Sequence, residues 1–479
     1  MPVARPNILW ICTDQQRFDT IGALGNAHAR TPNLDRLARE GAALSHAYCQ
    51  SPICLPSRAS FMTGMYPSAI HVLGNGHEYF PPEPPLVSRL LADGGYDCGL
   101  IGKLHITEPH GAAERRADDG FRYWQYSPAP HYTWEEGHDY AQWVRSRGKS
   151  LKDLIANDGV PPELNQTSWC GEKTLEFVAD ASRPWLACLN FFYPHPPFNP
   201  PDEYLSHFDP GAMPPPLYRD SDLERQRRLA PVHFQRTARP PHDLDLGVRR
   251  GQPSNYLGGR RDAQAVKAAY YAMIEMIDEQ IGRILDLLER TGQRERTLIV
   301  FTSDHGEMLG DHGLLYKGCR FYEGLVRVPL IFSWLGQIRE SLVGGLTELI
   351  DIAPTLLECA GLEIPQRMQG RSLWNRLTGR EDVRAGKPFV RCEYYAAEHS
   401  SACRDGPYAT MYRDNTHKIV CYHGLDLGEL YDLNSDPAEF HDLWDEASAQ
   451  ALKLRLLQRS FDATVLAMDQ GPRRVDLQS

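Results

Sequence analysis

Short apolar runs alternate along the chain with longer stretches in which apolar residues recur every three or four positions. The runs at residues 8–12, 98–102, 185–192 and 297–302 are short and almost unbroken, as buried parallel strands usually are. The clearest helix is predicted at residues 262–290. Because strands and helices alternate, the pattern predicts an α/β fold in which helices flank a large, mostly parallel central sheet.

The pattern changes after about residue 380. Four short strand candidates follow closely on one another, and a helix is predicted at residues 447–466. The strand candidates are residues 389–394, 409–413, 418–422 and 429–432. Such an order is typical of a small antiparallel sheet packed on a helix. We therefore expect an N-terminal α/β domain at residues 1–378 and a smaller C-terminal α+β domain at residues 379–479.

Residues 200–261 are dense in proline and arginine and show little periodicity. A stretch of this kind predicts an excursion over the surface, which would cover the functional site or contact a second subunit. Assembly into a homo-oligomer is therefore left open by the sequence.

Charge and composition exclude several classes of partner. The 479 residues hold 51 Lys and Arg against 62 Asp and Glu, and the net charge of −11 repels nucleic acid. No apolar run approaches the roughly 18 residues of a membrane span, and the first residues show no signal-peptide pattern. The eleven cysteines do not show the spacing of a disulfide-rich scaffold, which favours reduced thiols. We therefore expect a cytoplasmic protein that binds neither nucleic acid nor membranes.

Polar side chains follow two of the predicted strands, at the point where each strand ends. Asp14 comes just after the first strand, and Asp304 and His305 follow the strand at residues 297–302. The carboxyl ends of parallel strands meet at one edge of a sheet, where α/β proteins place their sites. Two carboxylates and an imidazole are suitable ligands for Ca²⁺, Mg²⁺ or Mn²⁺. The sequence therefore predicts a divalent metal site at this edge.

The segment Cys54-Leu55-Pro56-Ser57-Arg58 fits the pattern Cys-x-Pro-x-Arg, and further motifs surround it in a fixed order. They are residues 7–14, 31–35, 102–105, 195–198, 302–306, 310–313 with Lys317, and 431–437. With these motifs, the chain from residue 7 to about 440 resembles the sulfatase family of the alkaline-phosphatase superfamily. It is similar in particular to arylsulfatases, choline sulfatases and phosphonate monoester hydrolases.

The resemblance implies a sulfuric ester hydrolase whose nucleophile is made after translation. In that family the signature cysteine, here Cys54, is oxidised to formylglycine by a formylglycine-generating enzyme, which would be a partner during maturation. The hydrated aldehyde attacks sulfur through one hydroxyl and forms a covalent sulfate ester. The second hydroxyl then expels sulfate. The substrate would be a small sulfate monoester, which yields an alcohol or phenol and inorganic sulfate.

The resemblance also assigns roles to individual residues. Arg58 and Lys103 would hold the diol, and His105 would take the proton that drives sulfate release. His195 and Lys317 would steady the leaving-group oxygen. One divalent metal ion, Ca²⁺ by family and otherwise Mn²⁺ or Mg²⁺, would be bound by Asp14, the modified Cys54, Asp304 and His305, with Gln15 as a further candidate. Many family members carry a second Asp at the position of Gln15, so this amide weakens the negative field at the metal.

Three other functions remain open at the level of sequence. A phosphonate monoester hydrolase or phosphodiesterase would use the same residues, because sulfuryl and phosphoryl centres are both tetrahedral with dispersed charge. A choline sulfatase is a further alternative. A non-enzymatic alternative is a binding protein that keeps the fold without catalysis, although every expected polar position of the site is retained.

Overall fold

A computed structural model describes residues 5–109, 113–156, 160–180, 184–247, 259–382, 384–395 and 406–469. In these ranges the strands are β1 Asn7–Thr13, β2 Ala42–Tyr48, β3 Asp97–Gly102, β4 Tyr123–Tyr126, β5 Trp185–Asn190, β6 Leu244–Asp245, β7 Arg260–Arg261, β8 Thr297–Ser303, β9 Arg327–Val328, β10 Leu330–Ser333, β11 Ser341–Glu348, β12 Phe389–Tyr395, β13 Tyr408–Asp414, β14 His417–His423 and β15 Leu427–Asp432. The α-helices are α1 Pro32–Arg39, α2 Cys54–Thr63, α3 Val87–Asp93, α4 Asp139–Ser146, α5 Leu151–Ala156, α6 Gln166–Asp180, α7 Asp202–Leu205, α8 Asp220–Arg228, α9 Ala263–Arg290, α10 Glu323–Val326, α11 Ile352–Cys359, α12 Trp374–Leu377 and α13 Gln450–Leu466.

The large sheet has the strand order β11-β2-β10-β8-β1-β5-β3-β4, and β9 pairs with β2 at its side. β1 lies parallel between β5 and β8, so that Trp10 is level with Cys188 on one neighbour and Val300 on the other. β3 is parallel to β4 and β5, whereas β10 runs antiparallel to β2 and β8. The sheet is therefore mostly parallel, and the predicted fold class is confirmed.

Both faces of this sheet are covered at its centre, which explains why β1, β5 and β8 are buried at every position. Ile8 and Trp10 of β1 point into one core cluster with α2, α3 and α11, while Leu9 and Ile11 point into another with α1, α6 and α9. The side chains of these four residues are at most 2% exposed. Burial on both faces removes the polar alternation that a half-exposed strand would show.

The C-terminal strands β12 to β15 form an antiparallel meander. Its Val390, Met411 and Val420 join the core on one face of the large sheet. On its other face, Ile419 packs with Leu456 of α13. The predicted small sheet and helix are thus confirmed, and they share a core with the larger part. The division of the chain between residues 378 and 379 stays a prediction.

The proline- and arginine-rich stretch at residues 200–261 is more regular than its sequence indicates. Its described residues include α7, α8 and the two-stranded sheet of β6 and β7. α8 escapes a search for apolar periodicity because its sequence, DSDLERQRR, is charged almost all round. In the described ranges, no helix has both the length and the apolar character that crossing a membrane requires.

Candidate active site

Asp14, Cys54, Asp304 and His305 meet at the carboxyl edge of the large sheet. Asp14 directly follows β1, Asp304 and His305 follow the neighbouring strand β8, and Cys54 is the first residue of α2. One ligand atom from each of the four residues lies within 4.8 Å of those of the other three. All four residues are buried. The two strand ends that are distant in sequence therefore converge, as predicted.

The imidazole of His305 turns the lone pair of its Nε2 towards this cluster. Its Nδ1 lies 2.8 Å from the carbonyl oxygen of Gly306, so Nδ1 carries the hydrogen and donates it. Burial, together with nearby Lys317, lowers the pKa of His305 to about 4. The ring is therefore neutral at physiological pH, and its Nε2 lies 3.2 Å from the sulfur of Cys54. A neutral ring whose other nitrogen is fixed by a carbonyl is a typical metal ligand.

The two carboxylates are held in their ionised form. Burial alone would raise the pKa of Asp14, but Lys103 and other neighbouring cations hold it well below its ordinary value. Burial and the charge of Asp14 likewise oppose ionisation of Asp304, but the cations Arg58 and Lys317 bring its pKa below the ordinary value. The Nε of Arg58 donates to Asp304 Oδ2 at 2.8 Å. The cluster thus offers two anionic oxygens and one neutral nitrogen.

Gln15 adds a side-chain amide oxygen that has no hydrogen-bond partner among the described residues. Its main-chain N–H donates to Asp304 Oδ1 at 2.9 Å, and its side-chain nitrogen donates to the buried carboxylate of Glu307. Its Oε1 is buried and accepts no hydrogen bond in the part of the chain that the structure describes. An orphaned buried acceptor is costly unless a donor or a cation satisfies it. The donor set and this orphaned oxygen together fit a hard divalent cation, the identity of which they do not distinguish.

Cys54 lies at the amino end of α2, where the helix dipole and free N–H groups favour negative charge. Its sulfur occupies the position that the formylglycine oxygens would take. The ammonium of Lys317 lies 2.7 Å from this sulfur and 3.2 Å from His305 Nε2. The structure therefore places Lys317 beside the predicted nucleophile.

Arg58 and Lys103 contact the carboxylates of the cluster. Arg58 Nη1 donates to the carbonyl oxygen of Lys103 at 2.9 Å, and Lys103 Nζ lies 2.5 Å from Asp14 Oδ2. Burial would lower the pKa of Lys103, but Asp14 raises it above its ordinary value. A left-handed turn at Gly102 (φ 96°) directs Lys103 inwards, and a Cβ at Gly102 would lie 1.9 Å from the carbonyl oxygen of Asn190. The role of Arg58 and Lys103 in holding a diol stays a prediction.

A cavity of about 250 Å³ opens above this cluster, and Cys54, Lys103, His105, His195 and Lys317 all line it. The Nδ1 of His195 donates to the carbonyl oxygen of Pro196 at 2.6 Å. Burial and Lys317 lower the pKa of His195 well below its ordinary value. His195 is therefore neutral and presents Nε2 as an acceptor. The Nε2 of His105 lies 3.5 Å from a carboxylate oxygen of Glu108.

The cavity is also lined by residues that no sequence motif marks. They include Asn75, Glu108, Tyr126, His131, Gln235 and Arg236. These residues lie in segments without a motif or a clear period, so no local pattern marks them. Only the proline- and arginine-rich stretch gives a signal, because its pattern predicts that it covers the site or contacts a second subunit, and Gln235 and Arg236 lie in it.

Comparison with known proteins agrees with this arrangement. The sequence pattern of the family described as Sulfatase matches residues 6–362, and that of the N-sulphoglucosamine sulphohydrolase C-terminal region matches residues 310–464. The arylsulfatase of Clostridium perfringens is 29% identical over 465 residues, covering 92% of this chain and 90% of the relative. The choline-sulfatase of Rhizobium meliloti is 31% identical over 472 residues, covering 92% of this chain and 83% of the relative.

A solved structure shows the same architecture throughout. The phosphonate monoester hydrolase of Agrobacterium radiobacter superposes with a TM-score of 0.83 at 27% identity, covering 97% of both chains. The fold and the buried cluster at its sheet edge define a hydrolase of the alkaline-phosphatase superfamily. Within that superfamily, the chain belongs to the sulfatase family.

Proposed function

We propose that this protein hydrolyses sulfate monoesters to an alcohol or phenol and inorganic sulfate, with a formylglycine made from Cys54 as its nucleophile. The position of Cys54 carries the proposal. It begins a helix, lies 3.6 Å from Asp14 Oδ1 and 3.2 Å from His305 Nε2, and faces the cavity. A thiol with only a structural role would not be expected to face a cavity that two lysines also line.

A divalent ion in this cluster would supply electrostatic stabilisation of the charge that develops on the transferring group. Asp14, Asp304 and His305 would hold it, together with the modified residue 54 and Gln15. Formylglycine, when present, supplies a hydrated aldehyde in place of the thiol. The helix amino end at residue 54 and the ammonium of Lys317 favour an anionic nucleophile at that position.

Three side chains that face the cavity would take part in proton transfer. Lys317 is a donor beside the nucleophile, and it can also donate to the bridging oxygen of an ester placed there. Neutral His195 can accept at Nε2 but cannot donate from it, so its support of the leaving-group oxygen requires protonation first. His105, held near Glu108, is the proposed acceptor of the proton that drives sulfate release.

Phosphonate monoester hydrolysis is the second candidate. The similarity to the Agrobacterium radiobacter phosphonate monoester hydrolase over 97% of both chains favours it. Two sequence relatives named for sulfate esters, one of them a choline-sulfatase, favour the first candidate. The cationic groups of the cavity would bind either tetrahedral anion, so the chemistry of the residues beside Cys54 supports both.

The test begins with protein made together with a formylglycine-generating enzyme. Mass analysis of the peptide that contains Cys54 should show the aldehyde, and an unmodified thiol in active protein would contradict the mechanism. Sulfate, phosphodiester and phosphonate esters of one phenol should then be compared. Higher kcat/KM on the phosphonate ester would replace the first candidate by the second.

Two variants and a metal assay complete this test. Cys54→Ala should abolish turnover, whereas Cys359→Ala, a control at a half-buried thiol outside the site, should not. Elemental analysis, followed by removal of the metal and readdition of Ca²⁺, Mn²⁺ or Mg²⁺, should identify the ion. Activity that survives complete removal would contradict the proposed metal site. The cytoplasmic location and the maturation partner remain predictions.

A further inference from the structure

The cations that line the cavity or lie beneath it differ in how far the protein itself neutralises their charge. Lys103 pairs with Asp14 at 2.5 Å, and Arg58 pairs with Asp304 at 2.8 Å. Lys317 faces the nucleophile and would contact the transferring group. One further cation, Arg236, lines the same cavity and takes no part in any of these contacts.

Arg236 is half-buried and has no acidic partner in the described ranges. One of its terminal nitrogens, Nη2, donates to the carbonyl oxygen of Leu246 at 3.1 Å. Its Nε is buried and, among the described residues, has no hydrogen-bond acceptor. The guanidinium carbon lies 5.5 Å from the ring centre of Tyr316, the residue before Lys317. The guanidinium thus borders the cavity that Cys54 and Lys317 line, and some of its donors have no acceptor among the described residues.

We propose that Arg236 binds a second anionic group, a carboxylate or a further sulfate, on the leaving-group part of the substrate. This inference rests on the proposed function, because it assigns the first anionic group to the site at Cys54. A guanidinium offers planar, paired donors that match the oxygens of such groups. Nη1 makes no hydrogen bond to a described residue and, unlike Nε, is not buried, so a bound oxyanion could accept from it.

The location of Arg236 supports a role in substrate choice. It lies in the stretch at residues 200–261, outside every motif of the catalytic cluster, and Gln235 beside it also lines the cavity. The aromatic rings of Tyr132 and Phe192 line the same cavity and can contact the carbon skeleton between the two anionic groups. The site would therefore select sulfate esters of acidic alcohols or phenols over neutral ones.

The first test compares phenyl sulfate with its 3- and 4-carboxylated and 4-sulfonated forms on the metal-loaded, formylglycine-containing protein. The wild type should prefer at least one anionic form. Arg236→Met should lower the ratio of kcat/KM on that form to kcat/KM on phenyl sulfate by roughly 10- to 100-fold, the effect of losing a charged hydrogen bond. Arg236→Lys should retain part of the preference. Arg239→Met, a control whose guanidinium pairs with Asp243 at 3.3 Å, should leave the ratio unchanged.

The proposal is overturned if Arg236→Met leaves this ratio of kcat/KM values unchanged. An equal fall of kcat/KM on every ester also leaves the ratio unchanged and counts as the same result. A binding assay separates this failure from failure of the proposed function. Phenylmethanesulfonate and its carboxylated form, in which a methylene replaces the bridging oxygen, can be titrated calorimetrically without turnover. Tighter binding of the carboxylated form that Arg236→Met abolishes would support the proposal even if no sulfate ester were hydrolysed. Equal affinity for the two sulfonates, or no binding of the carboxylated one, would refute it.

Discussion

The buried carboxyl of Glu114 should make the stability of the fold depend on pH. This residue is 2% exposed, and its carboxylate accepts the main-chain N–H groups of His105 at 2.8 Å and Ile106 at 3.1 Å. Burial raises the pKa of Glu114 to about 7, whereas in the unfolded chain it has its ordinary value of about 4.5. Below about pH 4.5 the carboxyl is protonated in both states, so its ionisation costs nothing.

As the pH rises from about 4.5 to about 7, the unfolded chain loses this proton while the folded protein keeps it. The free energy of unfolding therefore falls, by ~3 kcal/mol in total at 1.36 kcal/mol per pKa unit. With an unfolding entropy near 2.1 cal/mol/K per residue, this corresponds to roughly 3 °C in the midpoint of a chain of this length. Above about pH 7 both states are ionised and the cost stays constant.

Glu114→Gln removes the titration and keeps an acceptor near the two N–H groups. The unfolding midpoint of the variant minus that of the wild type should rise by roughly 3 °C between about pH 4.5 and pH 8. Scanning calorimetry across this range measures the difference. Glu163→Gln, a control at an exposed glutamate, should show no such trend. A flat difference for Glu114→Gln, or one that falls with pH, would refute the reasoning.

Three further changes test other parts of the structure. Gln15→Ala should weaken binding of the divalent ion about 10-fold or more in calorimetric titration, by loss of the orphaned acceptor, and unchanged affinity would exclude Gln15 as a ligand. Lys317→Met should lower kcat by 10²-fold or more, roughly, because the donor beside residue 54 is lost, and a kcat close to wild type would contradict its role. Asp278→Ala should lower the free energy of unfolding by ~1–3 kcal/mol, because its carboxylate accepts the N–H groups of Asn33 and Leu34 at the start of α1. The control in denaturant unfolding is Asp286→Ala, at an exposed position of α9, the helix that also contains Asp278.

The buried cluster at the sheet edge could be predicted because its residues lie at the ends of strongly patterned elements. β1 and β8 are buried on both faces, so their apolar runs stand out, and Asp14 and Asp304 follow directly. The parallel pairing of these strands then brings the two carboxylates together, whatever lies between them in sequence. The small C-terminal sheet could be predicted equally well, because its strands follow one another closely in the sequence.

The substrate-facing part of the cavity could not be predicted in this way. Its residues come from loops and from a stretch whose helix α8 is charged on nearly every face, so hydrophobic period carries no information there. In the sequence, nothing distinguishes Arg236 from the other arginines of this stretch. Only the structure shows that its guanidinium lies 5.5 Å from the ring centre of Tyr316. The shared core of the small and large sheets also depends on packing across long separations, as when Val390 joins the cluster that contains Ile8.

The loops that carry the site are held in a conformation that their residues disfavour. Gln15 (φ 70°), His105 (φ 55°) and Tyr316 (φ 74°) all have left-handed backbones, which cost non-glycine residues roughly 1–2 kcal/mol each. Two buried carboxylates offset this cost: Glu307 accepts from the side chain of Gln15 and the main chain of Tyr316, and Glu114 accepts from the main chain of His105. Burial raises the pKa of both acids, so each anchor is itself costly to ionise. The fold thus gives up stability at the two places where it fixes the amide of Gln15, the proposed metal ligand, and the imidazole of His105, the proposed proton acceptor.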